Sequence, residues 1–335
     1  MFFSRVIVSI NLNAIQTRVK LSLLNDFIRN TAADIVFCQE VAFHNFSFIT
    51  THSAIVNVNN GQGTAILIRK GIKADDIICD PNGRIVSVRV GNTNYINVYG
   101  QAGNQYKMER EKFYASEIAI HLNKTCALNH VIGGDFNCIL DAKDTKGSTK
   151  NYCNGLKTLV RGLGLKDVER DVKGDSTQWS FVRGPSASRI DRFYAPPDFV
   201  RNVLSFETIA VAFSDHRAIV MKINVNQTDL GQNFGKGYWM INTSFLNDDV
   251  CENEFCFQYE ALQQRYAYRT NQFGWWVNYF KPKVKQFYRT KSIEFNRDIT
   301  QRKSELYRTL FELSSRQDNN SDVTLEMNFV KALIF

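Results

Sequence analysis

Residues 5–11, RVIVSIN, are dominated by β-branched residues with polar positions set between them, and they read as a β-strand. The period then changes: in RVKLSLLNDFIRN, 18–30, Leu24, Phe27 and Ile28 fall on one face of a helix. DIVFCQE, 34–40, is a short apolar run ending on an acid, the pattern of a buried strand with a polar group at its carboxyl end. NNGQGTAILIRKG, 59–71, is a glycine turn followed by a strand. RIVSVRV (84–90) and YINVYG (95–100) alternate with period two around GNTN, which predicts a hairpin. Helical spacing returns over 105–122, with Phe113, Ile118 and Leu122 inward, and HVIGGDFN follows as another buried strand. A short helix is expected over 153–163, ending at Gly164. TQWSFV (177–182), SRIDRFYA (188–195), ETIAVAF (207–213) and RAIVMKINV (217–225) are all strand-like.

Many strands, interspersed helices and hairpins in both halves predict an α/β fold. Its expected form is a two-layer β-sandwich flanked by helices, four layers in the order α/β/β/α. After about residue 226 the chain becomes aromatic and then helical, from WWVNYFKPKVKQFYRTKSIEF onward. Two parts are therefore expected, 1–226 and a smaller helical segment, 227–335. The start, MFFSRVIVSINLNAI, alternates and carries Arg5, Asn11 and Asn13 with no small-residue cleavage pattern, so a strand is expected there rather than a signal peptide. No run approaches about 18 apolar residues, so no membrane span is expected.

Composition narrows the partners. Hydrophobic residues are 44% of the 335, enough for a sizeable core, and only 5 prolines argue against a linker-rich chain. The net charge of +8 suits an anionic partner, nucleic acid first, although a basic protein without one is equally consistent. Up to residue 226 there are 27 Lys+Arg against 20 Asp+Glu, and beyond it 14 against 13. Within the second part, residues 275–303 hold 8 against 2. The 7 cysteines are scattered, with no CxxC and no zinc spacing, and are expected as reduced, mostly buried thiols in a reducing compartment.

The candidate chemistry sits at strand ends. Asn11 closes the first strand, Glu40 the second and Tyr99 the YINVYG strand. Asp135 and Asn137 close the GGDFN strand, Asp215 and His216 precede the last strand, and Asp191 lies within SRIDRFY. Singly, each has an ordinary explanation as a cap, a turn, a surface ion pair or a core histidine. Together they place four acids, two amides, a tyrosine and a histidine where strand termini converge at one edge of a sandwich.

IVSINLNAI, DIVFCQE, GQGTAILI, INVYG, GGDFN, SRIDRFY and SDHRAIV, in this order over residues 5–222, resemble the endonuclease/exonuclease/phosphatase superfamily. SRIDRFY followed by SDHRAIV is similar to the apurinic-type endonuclease domain of LINE (non-LTR) retrotransposon polyproteins. GKGYWMINTSFLND, 235–248, resembles the segment that leads from that domain toward reverse transcriptase, and the basic helix after it fits the same branch. Tyr99-Gly100-Gln101 departs from the family's Tyr-Ala-Pro. The chain stops at Phe335 before a reverse transcriptase, which suggests a truncated copy, a fragmentary one or a shortened reading frame.

The resemblance implies Mg²⁺-assisted phosphodiester hydrolysis, with Mn²⁺ as a substitute, leaving a nick with a 3′-hydroxyl. Glu40 and Asp215 would hold the metal. Asp135, oriented by Asn137, would activate water, and His216, set by Asp191, would bind a phosphate oxygen. Asn11 and Tyr99 would hold phosphate oxygens, Ser180 would contact the phosphate, and Arg189 and Arg192 would meet the DNA backbone. The glycines of GGDFN would let the backbone pass close to substrate. DNA is the expected partner, RNA a second candidate through the basic C-terminal segment, and the nucleus the expected compartment. A cellular abasic-site endonuclease or related phosphoesterase, and an inactive nucleic-acid-binding transposon remnant, are the competing readings.

Overall fold

The computed structural model describes residues 3–59, 62–125, 129–147, 151–174, 176, 178–225, 245, 248–266, 271–315 and 330. Fifteen strands are described. The first eight are β1 (Phe3–Asn11), β2 (Ile35–Gln39), β3 (His52–Asn59), β4 (Gln62–Arg69), β5 (Asp75–Cys79), β6 (Ile85–Val90), β7 (Thr93–Tyr99) and β8 (Asn129–Asp135). They are followed by β9 (Thr145–Lys146), β10 (Lys166–Asp167), β11 (Phe181–Arg183), β12 (Ser186–Ser188), β13 (Asp191–Ala195), β14 (Val203–Ala210) and β15 (Arg217–Val225).

They assemble as two six-stranded sheets, β14-β15-β1-β2-β4-β3 and β10-β13-β8-β7-β6-β5, with a small third sheet β11-β12-β9. Both large sheets are mixed: β1 runs parallel to β2, and β7 parallel to β8, while the remaining pairs are antiparallel. Ile7, Ile35, Phe37 and Ile66 of the first sheet bury against Val86, Val88, Val131 and Phe193 of the second. The strands β2 and β13 are buried along their whole length, which is why β2 reads as an apolar run, IVFC, rather than an alternation, while β13 buries Asp191 and Arg192 with its apolar residues.

Helices cover the outer faces. Helix α1 (Arg18–Asn30) buries Leu23, Leu24, Phe27 and Ile28, with Thr17 at its N-cap. The stretch expected over 105–122 is helical but broken: α2 (Lys107–Lys112), a π-turn over Phe113–Glu117, and α3 (Ile118–Leu122). That turn rotates Phe113 and Tyr114 inward, where they pack with Ile96, Ile132 and Phe136 beside α4 (Asn154–Gly162). The short helices α5 (Val168–Lys173) and α6 (Pro197–Val200) complete this unit.

The chain forms two compact units, residues 1–234 with 309–335, and residues 235–308. The second contains α7 (Asp249–Tyr266), α8 (Gln272–Trp275) and most of α9 (Lys281–Ser315), around a small core of Phe245, Cys251, Phe287 and Tyr288. Residues 235–244, 246 and 247 of the GKGYWMINTSFLND stretch lie outside the described residues. Among the described residues no helix is long and apolar enough to cross a membrane. The six described cysteines are free thiols, four of them buried.

Candidate active site

Strand register alone brings three of the expected groups into a row. Tyr99 at the end of β7 stands opposite Asp135 at the end of β8, and Asp191 at the start of β13 stands opposite the same Asp135. From the facing sheet, Asn11 ends β1 beside Gln39 of β2, and Glu40 follows. Asn11 then joins the sheets: its Nδ2 donates to Glu40 Oε1 and to Asp135 Oδ2, both at 2.9 Å. Its Oδ1 accepts the Asn13 N–H at 2.8 Å. With both amide N–H groups engaged, Asn11 spaces two carboxylates instead of offering a donor to phosphate.

Glu40 is half-buried, and its backbone lies in the left-handed region at φ 49°. For a residue with a Cβ this costs on the order of 1–2 kcal/mol. The conformation is held by Ala14 N–H donating to Glu40 O at 3.1 Å and Val41 N–H to Gly63 O at 3.0 Å. The Tyr99 hydroxyl donates to Glu40 Oε1 at 3.1 Å. Burial, then the charges of Glu40 and Asp135, hold that phenol well above its ordinary pKa, so it stays a donor.

Asp135 is fully buried. Asn137, also left-handed at φ 48°, donates its backbone N–H to Asp135 Oδ1 at 2.9 Å and its amide to Asp135 Oδ2 at 3.1 Å and Gly100 O at 2.9 Å. Burial, followed by the charge of Asp191, raises the Asp135 pKa to about 7, against the opposing pull of His216 and the Asn donors. His216 Nδ1 lies 2.9 Å from Asp191 Oδ2, and its Nε2 lies 3.9 Å from Asp135 Oδ2. The second distance is too long for a hydrogen bond, and an oxygen placed to one side of the pair could contact both groups. Burial works against a charge on His216, but the charge and hydrogen bond of Asp191, then Asp135 and Asp215, outweigh it and raise the pKa to about 10. At neutral pH the group is an imidazolium, with both ring nitrogens donors.

Asp215 is exposed beside this histidine. Ser180 is fully buried, and its Oγ accepts the Ile190 and Asp191 N–H groups at 3.0 and 2.9 Å, so it fixes the backbone that carries Asp191. The expectation for Arg189 and Arg192 is corrected. They are 2% and 1% exposed, and neither guanidinium is available to a substrate. Arg189 pairs with Asp144, Asp167 and Glu169, and Arg192 pairs with Asp144 and donates to Cys138 O. In an extended strand Arg192 faces away from Asp191, and the acids that neutralise the pair come from segments remote in sequence.

The glycines also differ from expectation. A Cβ on Gly133 would lie 2.3 Å from Phe193 Cδ1, and one on Gly134, at φ 138°, 2.0 Å from Val98 O. They are set by close packing with β13 and β7, not by approach to a substrate. At Gly100 a Cβ would meet the Tyr114 hydroxyl at 2.2 Å, the group that donates to Phe136 O at 2.7 Å. The departure from Tyr-Ala-Pro thus accommodates Tyr114 and leaves Tyr99 on Glu40.

Sequence reasoning missed the supporting polar groups. Ser214 Oγ donates to Asn11 O at 2.7 Å and accepts the His216 N–H at 3.1 Å, tying the first strand to the last. Gln39 donates to Ser9 Oγ and Asn97 Oδ1, while Asn97 donates to Cys38 O and Ala65 O. The available signal was an amide next to Glu40 and another in the middle of a buried strand, both of which need partners.

Asp135, Asp191 and His216 present ligand atoms within 4.8 Å of one another, and Asp191 Oδ1 is buried without a hydrogen-bond partner among the described residues. A cation could sit there. The protonated His216 already supplies positive charge at that point, whereas Glu40 and Asp215 offer hard carboxylate oxygens of the kind Mg²⁺ or Mn²⁺ prefers.

Two face-to-face mixed sheets, with acids, amides and a histidine gathered at one shared edge, define a nuclease and phosphoesterase class of hydrolases. Residues 8–216 match the endonuclease/exonuclease/phosphatase family, and the chain belongs to it. It is 30% identical over 178 residues to the transposon TX1 uncharacterized 149 kDa protein of Xenopus laevis, an alignment covering 50% of this chain and 13% of that one. An AP endonuclease from Archaeoglobus fulgidus superposes with TM-score 0.57 at 18% identity, covering 66% of this chain and all of the other. The 3′ phosphatase NExo from Neisseria, solved with a product DNA hairpin, gives 0.56 at 18% identity over 65% of this chain and 99% of its own. At that identity the likeness is one of fold.

Proposed function

We propose that the chain is a metal-dependent DNA endonuclease of LINE type, nicking one strand to leave a 3′-hydroxyl that can prime reverse transcription. The observation that carries this reading is the pairing of an imidazolium, His216 on Asp191, with a buried carboxylate, Asp135, across a 3.9 Å gap. A phosphate oxygen placed beside that pair would meet the His216 Nε2–H. A water beside it would meet Asp135, whose raised pKa suits a base working near neutral pH. As the water oxygen bonds to phosphorus, its proton passes to Asp135, the P–O3′ bond breaks, and O3′ is released as a hydroxyl after taking a proton from solvent. Asn11 and Asn137 hold Asp135 in one orientation throughout, and Tyr99 holds Glu40. Glu40, with Asp215 at the mouth, would bind Mg²⁺, which supplies charge to offset that developing on the phosphate and the leaving oxygen.

The transposon relative supports the LINE branch. We assign the nuclease to residues 1–226 and a connector, with a candidate RNA contact in its basic helix, to 227–335. Such an element would act in the nucleus. The abasic-site reading shares this chemistry, and the intact constellation argues against an inactive remnant. Supercoiled plasmid with Mg²⁺ or EDTA tests the proposal: nicking with the metal and none with EDTA is expected, and no cleavage under either condition refutes it. Comparing an abasic oligonucleotide with an intact duplex separates the two enzymatic readings.

A further inference from the structure

Residues 235–308 contain a cleft that the nuclease chemistry does not use. It has a volume of about 340 Å³ and lies between α7 and the start of α9, within the range of built ligand sites. Phe255, Tyr259, Phe280 and Phe287 line it, and Phe257 stands on its wall 75% exposed. An aromatic ring so exposed gives up the burial that would ordinarily hold it. Two further ring pairs in the same unit lie nearly flat against one another, Tyr266 on Tyr279 at 4.5 Å and 17°, and Tyr259 on Trp275 at 6.1 Å and 24°.

Charge separates the possible occupants. The basic side chains on the cleft are Arg265, with its guanidinium 5.4 Å from the Tyr266 ring centre, and Lys283, while none of the described lining residues is acidic. Lys283 and Arg265 are both exposed, and Lys281 and Arg289 extend the same sign along α9. A purely apolar peptide would gain nothing from this border, whereas a strand with unpaired bases has flat faces for the rings and phosphates for the cations. Duplex DNA hides its base faces and could use only the cations.

We propose that this cleft binds single-stranded nucleic acid, stacking unpaired bases on Phe257 and its neighbours while Arg265 and Lys283 hold the phosphates. The site gives the RNA contact of the basic segment a location, and it stands apart from the nuclease reading: a chain that fails to nick could still bind here. Fluorescence anisotropy on the full chain in EDTA tests it with labelled oligouridine RNA, oligothymidine DNA and a duplex of equal length. Phe257→Ala and Lys283→Ala are each expected to weaken single-strand binding on the order of ten-fold. Phe257→Ala should leave duplex binding unchanged, both variants should leave plasmid nicking unchanged, and Phe257→Trp should keep the affinity. Comparing the RNA and DNA arms shows which strand the site takes. Unchanged single-strand binding in both variants, an equal loss of duplex binding in Phe257→Ala, or a change confined to self-association would overturn it.

Discussion

Asp144 is the residue whose replacement should cost most outside the reacting groups. Its carboxylate is wholly buried and pairs with Arg189 at 2.9 Å, Arg170 at 2.8 Å and Arg192 at 3.2 Å. It also accepts the Leu140 and Asp141 N–H groups, both at 3.2 Å. Burial opposes the ionised form, but the three arginines hold the carboxyl well below its ordinary range. In Asp144→Asn, Arg189 keeps Asp167 and Glu169, while Arg192 is left with the Cys138 carbonyl as its described acceptor. Breaking a buried pair on one side costs about 3–5 kcal/mol. For a unit of this size that lowers the melting temperature by roughly 2–4 °C per kcal/mol, so a drop on the order of 10 °C is expected.

The pH dependence has a definite sign. A carboxyl depressed in the folded state contributes stability that is complete above its unfolded pKa of about 3.9 and is lost as pH falls toward the folded value. The wild type and Asp144→Asn should therefore converge below pH 4 and separate above it, a comparison that scanning calorimetry from acid to neutral pH makes directly. Adding Arg192→Met to Asp144→Asn removes the stranded cation and should restore part of the loss. A shift under 1 °C at neutral pH, or equal slopes for both proteins across the acid range, would refute the assignment of a buried ion cluster.

Asp135→Ala or His216→Ala should lower nicking by about two to three orders of magnitude with far-UV circular dichroism unchanged, and full activity in either would sink the catalytic roles. Asp191→Asn removes the carboxylate that keeps His216 charged, so nicking at neutral pH should fall, with part of it recovered in more acidic buffer. A neutral-pH rate equal to wild type would contradict that support. Gly134→Ala combines a φ of 138° with a Cβ 2.0 Å from Val98 O and should destabilise by about 1–3 kcal/mol or more in urea denaturation. Asn11→Ala frees two carboxylates that face each other through one amide, and it should reduce nicking more than it reduces thermal stability.

Much of the site was readable because its chemistry sits where buried strands stop. An acid or amide that follows an apolar run has few structural reasons to be there, and the order from Asn11 to His216 repeats that anomaly strand after strand. The roles within the site were less readable. Asn11 could be recognised as special from its place at the end of RVIVSIN, but not as a bridge, because its two acceptors lie 29 and 124 residues away. The arginines of SRIDRFY looked like phosphate contacts for the same reason: positive charge beside an acid on a strand is ambiguous until the other face of the strand is known. TQWSFV overlaps β11 of the third sheet, but β9, β12 and β5 were not anticipated, since two- to five-residue strands carry too little periodicity to read.

The sequence by itself determined the alternation and the buried runs, and hence the sheets, the helical faces and the polar strand ends, because these depend on side-chain period and on the cost of burying polar groups. Only the tertiary structure decided which of those groups touch. Cross-strand register set Asp135 between Tyr99 and Asp191, the packing of two sheets brought Asn11 across to Asp135, and distant acids drew Arg189 and Arg192 inward. Hydrogen bonds and ion pairs act over a few ångströms in space and carry no mark of their separation along the chain.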